Sequence, residues 1–230
     1  MVDQKKVTCI IPAYNEEKRI SNVISVVLKV DLIDQIIVIN DASLDKTGEV
    51  VKSFKNVELI ELKENIGKTR SVIEGLKKSK NDIVMFLDAD LVNLKEKNLL
   101  ELMTPVLESK VDVTISLREN SLTIYKMMDL DFISGERVFN KSLLSDYLSL
   151  NKLECFGLEV YMNSLIIKNN MKIKVINWKN VSHARKAEKI GFFKGTIEEF
   201  KMVFQILKTI GMITLFTQMI KLNKLKVKKN

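Results

Sequence analysis

The feature that most constrains this chain is an apolar run that ends abruptly in two carboxylates. Residues 83–87 are all apolar, and Asp88-Ala89-Asp90 follows them directly. A short apolar run bounded by polar residues is typical of a strand buried on both faces, as in a parallel sheet. In open α/β sheets, ligands bind at the carboxyl ends of the strands. The stretch therefore predicts a buried strand with an acidic ligand site at its end.

The spacing of Asp88 and Asp90 directs both side chains to one place if the backbone stays extended, because side chains alternate with period two. Two carboxylates held together repel unless a cation lies between them. Mg²⁺ or Mn²⁺ suits such a pair, since these ions take few carboxylates and complete their shells from substrate oxygens. A solvated turn is the alternative, and the short motif alone leaves both interpretations open.

Apolar runs alternate with segments of helical spacing along the first 120 residues. Strands are predicted at 7–11, 35–39, 57–62, 83–87 and 111–117, and helices at 16–30, about 45–55, 68–79 and 94–108. Pro12 is expected to end the first strand, because proline cannot donate to a ladder. The alternation predicts βαβ units, and so a parallel sheet with right-handed crossovers.

Polar side chains follow four of these strands at their carboxyl ends. They are Tyr14-Asn15-Glu16, Asp41, Asn65, and Asp88 with Asp90. The carboxyl ends of parallel strands meet at one sheet edge, where a ligand binds at a topological switch point. Four such coincidences favour a ligand site over a solvated turn.

The pattern changes after residue 120. A turn and a short strand are predicted at 134–139, a turn leading into a helix at 155–170, a half-exposed strand at 172–178 and a polar loop at 181–185. A long helix is predicted for 196–225, with Gly211 as the point where it would break.

The positive charge of the chain lies almost entirely in its tail. Residues 201–230 hold seven lysines and no acidic residue, out of a net charge of +8, so the first 200 residues are close to neutral. This distribution argues against a nucleic-acid partner. Two cysteines, Cys9 and Cys155, indicate no disulfide framework and favour a cytoplasmic setting. The sequence contains neither a signal-peptide core nor an apolar run of ~18 residues, so no signal peptide and no membrane-spanning helix are expected.

In four segments the chain resembles glycosyltransferase family 2, the nucleotide-sugar transferases of GT-A fold. The resemblance rests on IPAYNEE at 11–17, NDASLDKT at 40–47, NIGK at 65–68 and FLDAD at 86–90. Asn40 and Ala42 depart from the family's usual Asp-Asp-Gly-Ser pattern, whereas Asp41 and Ser43 keep it. The resemblance implies a Rossmann-like, mostly parallel sheet flanked by helices, with an acceptor-side extension and a carboxyl-terminal amphipathic helix.

The resemblance also implies roles for the residues of these segments. Tyr14 and Glu16 would line the pocket for base and ribose, and Asp41 would contact the base edge. Asp88 would contact ribose or metal, and Asp90 would act in catalysis by binding the divalent ion, Mg²⁺ or Mn²⁺. The full set implied for a UDP- or GDP-linked donor is Pro12, Ala13, Tyr14, Asn15, Glu16, Asp41, Lys68, Asp88 and Ala89.

Residues 134–139 resemble the Ser-Gly-x-Arg segment of polyprenyl-phosphate glycosyltransferases of the dolichyl-phosphate mannose synthase type. Arg137 in this segment and Arg118, which resembles a second arginine of that subgroup, would bind an acceptor phosphate. The alternative for each is a surface salt bridge. The Gln-x-x-Arg-Trp motif of processive synthases is missing, which argues against a polymerising synthase.

Two further residues have both a functional and a structural interpretation. His183 would complete the metal shell by resemblance to metal-dependent relatives, or would be structural. Glu159 would be a catalytic base or a sugar contact, or simply a favourable charge at a helix start. A base is needed only for a hydroxyl acceptor, because a phosphate is already ionised.

We therefore expect a nucleotide-sugar-binding half at 1–120, an acceptor-side half of the same domain at 121–198, and an amphipathic helix with a basic tail at 199–230. An apolar helical face lies between Val203 and Leu215, and five lysines follow it. This arrangement predicts that the chain binds peripherally to the anionic inner face of a membrane. The alternative is a helix packed on the core. The expected reaction is inverting sugar transfer to a polyprenyl phosphate; a small soluble or phosphorylated acceptor and a catalytically silent nucleotide-sugar-binding protein are the alternatives.

Overall fold

The computed structural model describes residues 5–150, 157–184 and 212–227. The strands are β1 Val7–Ala13, β2 Ile33–Asn40, β3 Glu58–Glu61, β4 Ile83–Phe86, β5 Leu91–Val92, β6 Val113–Arg118, β7 Arg137–Asn140, β8 Ile173–Trp178 and β9 Ser182–His183. The helices are α1 Ile20–Val27, α2 Thr47–Lys52, α3 Lys68–Lys78, α4 Glu96–Leu107, α5 Thr123–Met127, α6 Tyr147–Leu150, α7 Gly157–Lys168 and α8 Met212–Leu225, with a 3₁₀ helix at Lys141–Leu144.

Several predictions from the sequence fall wholly or partly outside these residues. They concern Cys155, Arg185, the proposed helix before residue 212 with its break at Gly211, and the last lysines of the tail. Among the residues that the structure does describe, no helix has the length and apolar character needed to cross a membrane.

A mixed sheet lies at the centre of the described part of the chain, in the order β3-β2-β1-β4-β7-β6-β8. Its neighbouring strands are parallel except for β7, which runs antiparallel to both β4 and β6. The prediction of an α/β fold with a mostly parallel sheet flanked by helices is therefore confirmed. Strands from both the first 120 residues and the later part of the chain belong to this one sheet.

The helices cover both faces of the sheet. One apolar cluster joins the sheet to α1 and α4, through residues such as Ile24 and Leu102. The other joins it to α3, α7 and α8, through residues such as Ile73 and Met162. Helix α3 approaches the sheet closely at Gly75, where an added Cβ would lie 2.6 Å from a side-chain carbon of Ile10. This close packing fixes where Lys68, the first residue of α3, meets the sheet edge.

The prediction that Pro12 ends the first strand is wrong. Strand β1 continues to Ala13 and pairs with β2 up to Ala13↔Asn40, whereas its pairing with β4 stops at Ile10↔Phe86. The carbonyl of Ala13 accepts a hydrogen bond from the N–H of Asp41, which follows β2, so the backbone polar groups of Ala13 face β2. Because these groups face opposite sides at successive residues of a strand, the Pro12 nitrogen faces β4. The β4 ladder has already ended at that level, and the missing N–H costs no hydrogen bond.

The predicted polar loop at 181–185 instead contains a strand. Ser182–His183 forms β9, which pairs antiparallel with β5 and places His183 opposite Leu91. The N–H of Ala184 donates to the carbonyl of Asp90 at 3.2 Å. This short ladder fastens the chain after β8 to the acidic loop after β4, a contact that sequence periodicity does not reveal because each strand has only two residues.

Candidate active site

The carboxyl ends of β1, β2 and β4 form one wall of a cleft of about 260 Å³. Its lining comprises Pro12, Ala13, Tyr14, Glu16, Asp41, Lys68, Asp88, Ala89 and Asp90. Three of the four predicted polar clusters thus meet in one place. The fourth, Asn65, is exposed and does not line the cleft.

The loops after β1 and β2 are joined by hydrogen bonds that hold Tyr14 at the cleft. The N–H of Asn15 donates to Oγ of Ser43 at 3.0 Å, and Oδ1 of Asn15 accepts from the N–H of Leu44 at 2.8 Å. The N–H of Glu16 donates to Oγ1 of Thr47 at 2.8 Å. Asn15 therefore supports the cleft without lining it, while the Tyr14 ring stays 43% exposed.

Ala42 adopts a left-handed backbone conformation, with φ of 56°. An L-residue in this region costs roughly 1–2 kcal/mol, whereas glycine adopts it freely. The position where this chain departs from the glycine of the family that it resembles is therefore one where glycine is the conformationally preferred residue. Because the loop keeps its hydrogen bonds, the departure affects stability more than the geometry of the site.

Asp41 fastens the turn that precedes α3. Its Oδ1 accepts from the N–H of Ile66 at 2.8 Å, and its Oδ2 accepts from the N–H of Gly67 at 2.9 Å. Gly67 has φ of 83°, which suits a residue without Cβ. Both oxygens thus serve the backbone, and a contact with a base edge would use their remaining lone pairs.

A line of alternating charges runs from the cleft into the protein. Nζ of Lys68 lies 2.8 Å from Oδ1 of Asp88 and 3.1 Å from Oε1 of Glu159. Oδ2 of Asp88 lies 3.5 Å from a guanidinium nitrogen of Arg118. Burial by itself would raise the pKa of Asp88, but the Lys68 ammonium and the Arg118 guanidinium outweigh it and hold that pKa well below its usual range. Asp88 is therefore ionised throughout the neutral range.

Lys68 keeps its positive charge for the matching reason. Burial acts to lower the pKa of its ammonium group, but the Asp88 and Glu159 carboxylates raise it above the ordinary value. Glu159 lies in the first turn of α7, is 3% exposed and does not line the cleft. In this structure it acts as a buried partner of Lys68, and its predicted role as a base or sugar contact stays a prediction.

Glu136 anchors Arg118 from the other side, and reasoning from the sequence missed it. Its Oε1 lies 2.8 Å from the same Arg118 nitrogen, and its Oε2 accepts from Ser116 at 2.6 Å and from Ser134 at 2.8 Å. The carboxylate has no exposed surface. Burial raises the pKa of Glu136, and the nearby Asp88 carboxylate adds to this, although Arg118 opposes the shift. The sequence signal was a charged residue placed between the glycine and the arginine of the 134–137 segment.

Gly135, in the segment before β7, lies against the Lys68–Asp88 ion pair. A Cβ added there would lie 2.5 Å from Nζ of Lys68 and 2.8 Å from Oδ1 of Asp88. The backbone at Gly135 therefore touches the Lys68–Asp88 ion pair directly, in a space that no other residue type leaves free.

Arg137, which the sequence predicts as a contact of an acceptor phosphate, is buried in this structure, and its phosphate role stays a prediction. The side chain has no exposed surface, and its three nitrogens donate to the carbonyls of Ser134 and Phe132 and to Oδ1 of Asn163, at 2.9, 2.7 and 2.8 Å. Burial lowers the pKa of the Arg137 guanidinium to about 10, although nearby carboxylates, Glu159 first among them, oppose the shift. Arg137 therefore holds the segment before β7 against α7. Arg118, at 8% exposed, is closer to the cleft acids.

His183 lies beside the acidic loop rather than within a preformed metal cage. Asn120 holds its backbone, donating from Nδ2 to the His183 carbonyl at 3.0 Å, and β9 pairs it with Leu91. Within the described ranges, no three His, Cys, Asp or Glu side chains are gathered closely enough to hold a metal ion. Asp88 and Asp90 both line the cleft, and carboxylate oxygens are donors that Mg²⁺ and Mn²⁺ accept.

Known proteins resemble this chain in sequence. A dolichyl-phosphate β-glucosyltransferase of Dictyostelium discoideum is 25% identical over 183 residues, which are 73% of this chain and 51% of that protein. A poly-β-1,6-N-acetyl-D-glucosamine synthase of Staphylococcus epidermidis is 34% identical over 90 residues, 37% of this chain and 22% of that protein. The chain thus spans about a fifth to a half of the length of these curated relatives.

The fold also matches that of solved structures. The glucosyl-3-phosphoglycerate synthase of Mycobacterium tuberculosis, crystallised with Mn²⁺, UDP and glucosyl-3-phosphoglycerate, superposes with a TM-score of 0.70. The two are 20% identical, over 93% of this chain and 80% of the synthase. The sequence model of glycosyl transferase family 2 matches residues 8–155, from the first strand past the buried network around Glu136. This match covers more than half of the chain and shows that the chain belongs to glycosyl transferase family 2.

Proposed function

We propose that this chain is a metal-dependent inverting glycosyltransferase that moves a sugar from a nucleotide-sugar donor to a polyprenyl phosphate. The observation that carries the proposal is the meeting of Tyr14, Asp41, Lys68, Asp88 and Asp90 in one cleft at the ends of β1, β2 and β4. An exposed aromatic ring, an ammonium group and carboxylates are the chemistry that a base, a diphosphate and a bridging cation require.

The donor would lie along the sheet edge. The exposed ring of Tyr14 offers a face to the base, and Glu16 and Asp41 lie beside it in the lining. Pro12 and Ala13 form the floor at the end of β1. The donor would be a UDP- or GDP-linked sugar, since these side chains offer contacts to either base.

Asp90, together with Asp88 and His183, would hold a divalent cation, Mg²⁺ or Mn²⁺. Oxygen donors and an imidazole suit such an ion, and donor phosphate oxygens would complete a shell that the described side chains leave incomplete. When bound, the ion would supply Lewis-acid neutralisation of the departing diphosphate. The M. tuberculosis synthase, crystallised with Mn²⁺ and with UDP-glucose, makes the same pairing of fold, metal and donor.

Lys68 would orient the donor from its position at the start of α3. The ammonium is held between Asp88 and Glu159, so its direction is set before any ligand arrives. With a phosphate acceptor no general base is required, because the acceptor oxygen is already ionised. Glu159 then serves to orient Lys68; with a hydroxyl acceptor it would be the candidate base.

A soluble phosphorylated acceptor is the second candidate. One relative is named for dolichyl phosphate, and one structural neighbour for a phosphoglycerate product. Both names contain a phosphate-bearing acceptor, which supports this class over a free sugar. A catalytically silent nucleotide-sugar-binding protein is the third, and the presence of both Asp88 and Asp90 in the cleft argues against it.

The test is a panel of nucleotide sugars with Mn²⁺, scored for binding and for hydrolysis, followed by transfer to a polyprenyl phosphate and to 3-phosphoglycerate in parallel. Binding of a donor with product from the lipid supports the proposal, and product from 3-phosphoglycerate alone assigns the soluble acceptor. Donor binding without turnover on either would leave a silent binding protein.

The metal assignment has its own measurement. His183→Ala should shift the Mn²⁺ midpoint of donor binding upward by about 10- to 100-fold, as loss of a group supporting a metal does. Asn177→Ala, which replaces an exposed polar residue on β8 and removes no predicted ligand, is the control. An unchanged midpoint in the His183 variant would return this residue to a structural role.

A further inference from the structure

Helix α8 has two different faces. Met219 and Leu222 are 3% and 0% exposed and pack into the apolar cluster that contains α7. Nε2 of Gln218 donates to the carbonyl of Val160 on α7 at 3.4 Å. The helix is therefore docked on the protein through one stripe, which fixes where its opposite side points.

The exposed side carries large apolar residues as well. Phe216 and Ile220 are 55% and 53% exposed, and their spacing of four residues places them on one face of the helix. Val227, just beyond the helix, is 43% exposed. Large apolar side chains grouped on an exposed face indicate an interaction surface rather than ordinary surface composition.

Two lysines lie beside this apolar face on α8, and the helix carries no acidic residue. Lys221 and Lys224 are exposed, and the sequence from Met212 to Val227 contains no Asp or Glu. The rest of the chain mixes both signs, as its near-neutral first 200 residues show. The face therefore combines apolar area with unbalanced positive charge.

Apolar side chains are also exposed along α5 and at the residue before it. Leu122 and Ile124 are both 48% exposed, and Met127 is 83% exposed. Nζ of Lys226 donates to the carbonyls of Met128 and Asp129, at 2.9 and 3.1 Å, which ties the end of α8 to the end of α5. The carboxyl-terminal end of α8 therefore lies beside the end of α5.

We propose that the exposed faces of α5 and α8 form a docking surface for an anionic lipid membrane. An apolar face and a group of lysines are the two signals that together give stable peripheral binding. A second copy of the chain is a poorer occupant, since a twofold contact would bring the same lysines together. The docking surface would exist whatever the chemistry of the cleft; with the proposed function, it would hold the cleft near a lipid-linked acceptor.

The experiment is co-sedimentation of the full chain with vesicles of phosphatidylcholine, with and without phosphatidylglycerol, at low salt. We expect binding only when the anionic lipid is present. Phe216→Asn with Ile220→Asn should weaken it by at least about tenfold, because each side chain loses apolar burial. Lys221→Gln and Lys224→Gln should each weaken it by about fivefold, and added salt should do the same.

Matched controls come from surfaces elsewhere on the chain. Leu100→Asn replaces an apolar residue that is 40% exposed on α4, and Lys55→Gln replaces an exposed lysine beside the β3 edge of the sheet. Both should bind vesicles as the unchanged protein does. Circular dichroism and nucleotide-sugar binding should be unaffected in every variant, because none of the residues lines the cleft.

Three results would overturn the proposal. They are a full chain that stays in the supernatant with anionic vesicles, a Phe216/Ile220 variant that binds undiminished, and a dimer in solution that this variant dissociates. The last would assign the surface to a second copy. If the full chain binds the vesicles but transfers no sugar, the proposed function is refuted and the docking surface is still supported.

Discussion

Asp88 follows β4 and Arg137 begins β7, and these two strands are neighbours in the sheet. Asp88 nevertheless lines the cleft, whereas Arg137 has no exposed surface and bonds only to protein groups. The difference follows from strand direction. Parallel β4 ends at the cleft, so its loop is presented to a ligand, while antiparallel β7 starts there and runs away into the core. Two charged residues at the same sheet edge can therefore have different roles, one facing a ligand and the other holding the protein together.

The first test of this comparison removes a charge on the cleft side. Asp90→Asn should abolish metal-dependent donor binding and lower transfer on the order of 100-fold or more, because one ligand oxygen loses its charge. The unfolding midpoint should hardly change. Asp82→Asn, an exposed acid at the other end of β4, is the matched control. Unchanged Mn²⁺ dependence in the Asp90 variant would show that the cleft acids hold no metal.

The second test removes a charge on the buried side. Arg137→Ala should lower the free energy of unfolding by about 3 kcal/mol, because the carbonyls of Phe132 and Ser134 and the side chain of Asn163 lose charged donors. Urea denaturation measures this. Donor affinity and acceptor KM of the folded fraction should stay as they are. A raised acceptor KM with full stability would restore Arg137 as a phosphate ligand.

The third test asks how strongly the Lys68–Asp88–Arg118 line couples to folding. The folded pKa of Asp88 is depressed, so its stabilising contribution is fully present above the unfolded value of about 3.9 and is lost as pH falls through the folded one. Asp88→Asn should therefore reduce the loss of stability on acidification below about pH 4. Thermal melts at a series of pH values measure the slope, and parallel curves for both proteins would contradict the ion-pair account.

The smallest expected effect lies in the loop beside the cleft. Ala42→Gly should stabilise the protein by about 0.5–1 kcal/mol, since glycine relieves the left-handed backbone at φ of 56°. Ser53→Gly, at a residue with φ of −70°, should destabilise slightly instead. Chemical denaturation distinguishes the two. A destabilised Ala42 variant would mean that its methyl group contributes packing that outweighs the strain.

The sequence was enough to place Asp41, Lys68 and Asp88 at the site. Each lies at the end of a strand or the start of a helix whose apolar residues show a clear pattern, and parallel strands bring such ends together. Glu136 could not be placed, because its position depends on β7 pairing antiparallel between β4 and β6. The role of His183 depends similarly on β9, which pairs with a strand of two residues. Pro12 was misjudged because the sequence does not say where the β4 ladder stops.

The position of β7 also governs the order in which the chain can fold. It fills the gap between β4 and β6 although it follows both of them in the sequence. Until residue 140 has left the ribosome, each of these strands keeps an open edge of unpaired N–H and C=O groups, and such edges promote aggregation. The nascent amino-terminal part would therefore need protection during synthesis. A fragment cut at residue 120 would lack β7, the strand that joins β4 to β6, even though it carries all of the residues that line the cleft.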